Sequence, residues 1–357
     1  MNPVKVLVVG CGHMGKSHAR AYHKNPGFQI TGLISRNDGS REALNEELGG
    51  GISLFNNFFE ALDRTKPDAV SINTYPDTHA EFALHAMDAG AHVFVEKPIA
   101  ETVEAAERVV ASALEKNRKL VVGYILHHHP SIAKFLELGR TLGKPLVMRM
   151  NLNQQSAGAE WETHKCLMDS CSPIVDCGVH YVDLMCQVTG AKPLRVHAIG
   201  ARLSDEIKPD MYNYGNLHVS FDDGSVGWYE AGWGPMMSED AHFIKDLIGP
   251  LGSVSMVQDT RKKDGVSSDI DGHTRTSTLR VHYSERDEKG LFRRKDEWLD
   301  ASGDPSHQDL CDREQAFFLK TILEDLDLTA HHASAVNSLR IVLAADQSWR
   351  TGNVVAI

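Results

Sequence analysis

Between residues 4 and 125 the chain alternates short apolar runs with helix-like segments, and this restricts the fold more than any other feature. The runs are "VKVLVVG", "FQITGLIS", "AVSINT", "HVFVEK" and "KLVVGYI", with a shorter strand-like piece at "ISLF". Helical patterns over residues 14–24, 41–48, 57–63, 79–89 and 102–116 lie between them. Strands that are apolar on both faces and joined by helical crossovers predict a parallel, doubly wound sheet.

Near Tyr124 the rhythm changes. A helix is expected over 131–138, and then "PLVMRMNLNQ" alternates apolar and polar residues, as a strand covered on one face does. After a helix over 173–188 come "LRVHAIGARL", "NLHVSF", "SVGWYEAGW", "HFIKDLIG", "GSVSMV" and "TLRVHYS", which predict a large, mostly antiparallel sheet. Residues 259–275 are polar and read as an exposed loop, and helices over 309–323 and 332–349 close the chain. A chain of 357 residues exceeds what one core usually serves. Two domains are expected, 1–123 and 124–357, with the option that the C-terminal helix packs back on the first.

A formal net charge of -11 without a lysine or arginine block argues against nucleic acid and anionic membranes as partners. No apolar run is long enough to span a bilayer. Met1-Asn2-Pro3 leads directly into a strand, so no signal peptide is expected. The six cysteines include no C-x-x-C pair and read as reduced thiols of a cytoplasmic protein.

The first strand runs into Gly10-Cys11-Gly12-His13-Met14-Gly15 and then a helix. In that context G-x-G-x-x-G lets a pyrophosphate sit on the helix N-terminus, so these residues are expected to bind a dinucleotide. An acidic residue about 20 positions on would favour NAD. Here the second strand ends in Ser35-Arg36, which suits a 2′-phosphate, with Asp38 as a possible ribose contact. The cofactor is read as NAD(P), with a lean to NADP.

In the helix over 173–188, Asp176, His180, Asp183 and Gln187 form one polar stripe among apolar neighbours. Asp176 and His180, one turn apart, can act on one hydroxyl group, and histidine is suited to proton exchange near neutral pH. Asp183 is expected to tie down structure nearby. The same Asp/His spacing could chelate a metal but lacks a third ligand, so no metal is expected.

The stretch "VFVEKPIA", residues 93–100, ends a buried strand with a carboxylate and an ammonium side by side. A core strand tolerates such an ending poorly unless it meets a ligand site. Together with the G-x-G-x-x-G opening, Thr74-Tyr75-Pro76, His79, Glu96-Lys97-Pro98, the helix "SPIVDCGVHYVDL" and the closing "NSLRIVLAADQSWRTGNVV", it resembles the glucose–fructose oxidoreductase and inositol dehydrogenase (Gfo/Idh/MocA) family over nearly the whole chain. The resemblance implies that Thr74, Tyr75, Pro76, His79, Glu96 and Lys97 serve the cofactor, with Lys97 close to the reacting carbon. It implies that Lys97-Pro98 is often cis. Asp176, Gly178 and His180 match the family's D-x-G-x-H, which implies catalysis by Lys97, Asp176 and His180, all three also contacting substrate.

Tyr124, Trp161 and Lys165 are further substrate candidates. His127, His128, His129 and His164 are weaker ones, and Trp233 offers an apolar face for a sugar ring. The resulting expectation is an α/β Rossmann-like N-terminal domain plus an α+β C-terminal domain with a large, mostly antiparallel open-faced sheet. Its activity is expected to be NAD(P)-dependent hydride transfer involving a secondary hydroxyl of a sugar, sugar derivative or polyol. Alternatives are an NAD-dependent glycoside hydrolase working by transient oxidation and a non-catalytic NADP(H)-binding regulator. An uncovered apolar sheet face implies a homodimer or homotetramer.

Overall fold

The computed structural model describes residues 2–238, 244–257, 278–301 and 303–357. The chain divides into two compact units, Met1–His128 with Gln308–Val336, and His129–His307 with Asn337–Ile357.

In the first unit, β1 (Val4–Val9), β2 (Phe28–Ile34), β3 (Leu54–Phe55), β4 (Ala69–Ile72), β5 (His92–Glu96) and β6 (Leu120–Gly123) form a parallel sheet in the order β3-β2-β1-β4-β5-β6. Strands β4 and β6 are buried at every position, which explains their lack of polar alternation. The crossovers are α1 (His13–Lys24), α2 (Asp38–Glu47), α3 (Phe58–Thr65), α4 (Pro76–Asp88) and α5 (Val103–Glu115). Asn37, Asn57 and Thr102 cap α2, α3 and α5 by accepting backbone N–H bonds. Helix α4 starts three residues before the expected 79, because Pro76 takes its first turn. The core joins Val6, Val8, Tyr22, Leu33 and Phe94 to Phe318 of α10 (His307–Leu323).

In the second unit, α6 (Pro130–Arg140) precedes β7 (Val147–Gln155), and α7 (Ala159–Leu167) follows it. The segment expected as one helix over 173–188 is two, α8 (Pro173–Asp176) and α9 (Gly178–Thr189), separated at Cys177. His180 N–H bonds to the Cys177 carbonyl, three residues back rather than four, so the chain tightens at this step. The strands are β8 (Pro193–Ala201), β9 (Tyr214–Phe221), β10 (Val226–Gly234), β11 (Lys245–Gly249), β12 (Gly252–Val257), β13 (Thr278–Tyr283), β14 (Glu297–Asp300) and β15 (Val355–Ala356). They join β7 in the order β14-β13-β12-β11-β7-β10-β9-β8-β15. All pairings are antiparallel except β7 with β10. The loop expected over 259–275 lies outside the described residues. Helix α11 (Thr329–Thr351) contains the division between the units, at Val336 and Asn337.

This larger sheet is two-faced. Met148, Met150, Leu217, Val219, Tyr229, Leu247 and Val254 are buried, whereas Val147, Ile199, Val226 and Ile248 are 38–56% exposed. That is the alternation read from the sequence. All six cysteines are free thiols.

Candidate active site

Strand β1 delivers the chain into the glycine turn at the start of α1. Gly10 has φ +93°, and a Cβ there would lie 2.5 Å from the Asn73 carbonyl oxygen. A Cβ on Gly15 would lie 1.9 Å from the Gly10 carbonyl oxygen. Backbone crowding therefore demands both glycines. Gly12 differs, since a Cβ there would meet nothing within 4 Å. It faces open space at a helix N-terminus that no side chain caps, where the backbone of His13, Met14 and Gly15 begins the helix. The turn fits a dinucleotide pyrophosphate, which needs helix-start amides and close approach.

At the end of β2, Ser35 is half-buried and Arg36 is exposed, without an ion pair among the described residues. Asp38 is engaged, its carboxylate lying 2.7 Å from Arg41 Nη1. The same Nη1 donates to the Ser35 carbonyl at 2.7 Å. Arg41 was missed in the sequence, where it reads as an ordinary residue of a surface helix. Its charge also reaches Cys11: burial pushes that thiol up to about 11, against the pull of Arg41 and Lys16. The glycine turn thus has two cations nearby.

Thr74, Tyr75 and Pro76 form the entry to α4, and Tyr75 is 54% exposed. His79 is fully buried behind them, with Nδ1 2.7 Å from the Pro98 carbonyl and Nε2 3.0 Å from the Thr74 carbonyl. Burial holds its pKa below the usual imidazole range, although both carbonyls favour the charged form. It ties the turn after β4 to the turn after β5. Glu96 is buried, Lys97 is half-buried and Lys97-Pro98 is cis. After β6, Tyr124 is 1% exposed and stacks on His127 at 5.2 Å. Burial pushes the neighbouring His128 down to about 4. His129 caps α6, accepting from Ile132 N–H.

In the second unit, α7, α8, α9 and the ends of β7 and β10 gather another set. Asp176 and His180 are half-buried on helices whose other positions are mostly buried. Gly178 between them has a packing reason, because a Cβ would lie 2.9 Å from Tyr229 Cε1. Asp183 is fully buried and accepts from Gln187 Nε2 at 2.8 Å, which fits a structural role. Cys177 Sγ lies 3.5 Å from Asp176 Oδ2 and 3.4 Å from Gln154 Oε1, and that oxygen also accepts from Trp233 Nε1 at 2.8 Å. Gln154 links the strand ends to the Asp176 turn, a role no local sequence signal announces.

Trp233 departs from the expectation of an open face, being 1% exposed and covered by the His164 ring. Trp161 is 5% exposed. The Lys165 ammonium sits between two carboxylates, 2.8 Å from Glu162 and 2.7 Å from Glu206. His164 has Nδ1 2.9 Å from Ser156 Oγ. Burial lowers its pKa, opposed by the Asp176 and Glu160 charges, so it is neutral beside Asp176 at neutral pH.

The parallel sheet and its glycine turn define the class, a Rossmann fold suited to a dinucleotide. The profile described as the oxidoreductase family with NAD-binding Rossmann fold matches residues 4–124, and the GFO/IDH/MocA C-terminal domain matches residues 134–244. The chain is 30% identical over 259 residues to inositol 2-dehydrogenase 2 of Saccharopolyspora erythraea, covering 71% of this chain and 73% of that protein. It is 31% identical over 207 residues to UDP-N-acetylglucosamine 3-dehydrogenase of Acidithiobacillus ferrooxidans, covering 57% and 60%. Its fold matches scyllo-inositol dehydrogenase of Lactobacillus casei solved with NAD(H) and scyllo-inositol, with a TM-score of 0.77, 22% identity and 99% of each chain covered. The chain belongs to the Gfo/Idh/MocA family of oxidoreductases.

Proposed function

We propose that the protein transfers a hydride between a nicotinamide dinucleotide and a secondary hydroxyl of a sugar, sugar derivative or polyol. The observation that carries this reading is the half-buried pair Asp176 and His180 on a largely buried pair of helices. Buried helices rarely keep such groups without a partner or a ligand to serve. The inositol and UDP-N-acetylglucosamine dehydrogenases among its relatives support the substrate class. The bound nicotinamide supplies the hydride acceptor or donor. His180 takes the hydroxyl proton, Asp176 orients the hydroxyl and supports His180, and Lys97 polarises the oxygen. Tyr124, Trp161 and Lys165 shape the substrate's surroundings.

We favour NADP over NAD because Arg36 is exposed without an ion pair among the described residues, whereas Asp38 is committed to Arg41. The exposed apolar row of the larger sheet supports a homodimer or homotetramer formed through that face. The test is a screen of inositols, UDP-sugars and glycosides with NAD and with NADP, followed for reduced cofactor and for released aglycone. Stoichiometric reduced cofactor from a free polyol or sugar is expected. Aglycone release without net reduction would replace this reading with the redox-neutral glycosidase.

A further inference from the structure

Behind the Glu96–Lys97 turn lies a line of buried polar side chains drawn from α1, β5 and α10. The Tyr22 hydroxyl donates to Gln315 Oε1 at 2.6 Å. This leaves the Gln315 amide NH₂ facing His18 Nδ1 at 2.9 Å, as donor. With Nδ1 used as acceptor, neutral His18 carries its proton on Nε2, which lies 2.7 Å from Glu96 Oε1. The other Glu96 oxygen, Oε2, accepts the Lys97 backbone N–H at 3.2 Å. Each link fixes the polarity of the next, so the Tyr22 hydroxyl at one end sets how Glu96 is held at the other.

Glu314, next to Gln315, completes the arrangement. It is 1% exposed, and neither of its carboxyl oxygens has a hydrogen-bond partner among the described residues. Burial, reinforced by the Glu96 charge, raises its pKa well above the carboxylate range. Glu96 meets the His18 ring N–H and the Lys97 backbone N–H, whereas among the described residues no donor addresses Glu314. Burial therefore favours the protonated form of Glu314. The titratable groups facing this pair are His18 and Tyr22 from α1, His79 from α4 and Cys311 from α10.

We propose that His18 and Gln315 are positioning residues for Lys97, acting through Glu96 to fix the turn that carries the lysine. This rests on the catalytic role proposed above for Lys97, but its test does not depend on that role. The probe is pH-dependent acetylation of Lys97 by acetic anhydride in the NAD-loaded protein, read by peptide mass. Gln315→Met removes the amide that donates to His18 and weakens the Nε2–H bond to Glu96. Glu96 is then held less firmly, and with it the Lys97 backbone N–H that it accepts, so the surroundings of the lysine side chain change. The labelling midpoint of Lys97 is expected to move by about half a pH unit or more, with NAD affinity unchanged. Tyr22→Phe, a milder change that removes only the hydroxyl orienting the amide, should move the midpoint the same way and serves if Gln315→Met does not fold.

An unmoved midpoint in folded Gln315→Met, or a shift accompanied by an equal loss of NAD binding, overturns the proposal. Lys97→Ala, assayed with scyllo-inositol, myo-inositol and UDP-N-acetylglucosamine, tests the underlying reading separately. Wild-type turnover there would remove Lys97 from the chemistry while the labelling result still decides whether His18 and Gln315 position it.

Discussion

The imidazole of His164 lies flat on the indole of Trp233, with ring centroids 4.4 Å apart and planes 7° from parallel. The tryptophan is thereby closed to a sugar ring, and the surface offered in its place is a neutral imidazole held by Ser156 beside Asp176. His164→Ala removes this cover and the aromatic pair, which is expected to cost about 1 kcal/mol of stability. His164→Phe keeps the stack and removes both nitrogens. We expect it to retain the thermal midpoint but raise KM for the polyol or sugar by about threefold or more, about the effect of one hydrogen bond, with a smaller change in kcat. Equal KM values for wild type and His164→Phe would leave the ring with packing alone.

Cofactor preference is tested at the end of β2. Arg36→Ala should weaken NADP more than NAD, by roughly tenfold, as loss of one charge-assisted phosphate contact implies. Arg41→Ala should weaken both, because Arg41 braces the Ser35 carbonyl and Asp38 and lies near Cys11. Fluorescence titration with each cofactor separates the cases. Equal losses from Arg36→Ala, or a wild type that binds NAD alone, would shift the ribose contact to Asp38.

The parallel sheet was legible because its strands are mostly apolar and alternate with helical segments. Glu96-Lys97 was legible because charges at the end of a buried strand need a reason. The step at Cys177 was not, since Gly178 reads as a tolerated helix glycine until Tyr229 is placed against it. Strands β14 and β15 are too short or too exposed to carry an alternation signal. The contact of Gln315 with His18 spans 297 positions, and no local pattern marks either as a partner of Glu96. Long-range polar pairing of this kind is set by tertiary packing, whereas periodicity reports only which face of an element is buried.

The helix step bears directly on the proposed proton-handling pair. If Asp176 and His180 act as one unit across Cys177, each single alanine variant should lose most of the activity, by about a hundredfold or more. The double variant should then lose little beyond either single one, because groups acting together are not additive. The acid limb of the kcat/KM profile should disappear in His180→Ala. Additive losses would show that the two act separately, and a persisting limb would assign it to another group.

Glu314 gives the last expectation, and its sign follows from linkage. Its folded-state pKa is raised above the ordinary value near 4.5. Above that pH the unfolded chain releases the Glu314 proton while the folded chain retains it. The folded state then binds more protons than the unfolded state, so the stability of the wild type falls as pH rises toward the folded-state pKa. Glutamine resembles the protonated acid in shape and charge but does not titrate. Glu314→Gln therefore removes the pH-dependent loss, although its amide hydrogens add a burial cost that is the same at every pH. The measurement that matters is how the difference in thermal midpoint, Glu314→Gln minus wild type, changes between pH 5 and pH 8. We expect it to become more positive by a few degrees over that interval. A difference that stays flat would mean that Glu314 titrates in the folded protein as it does in the unfolded chain.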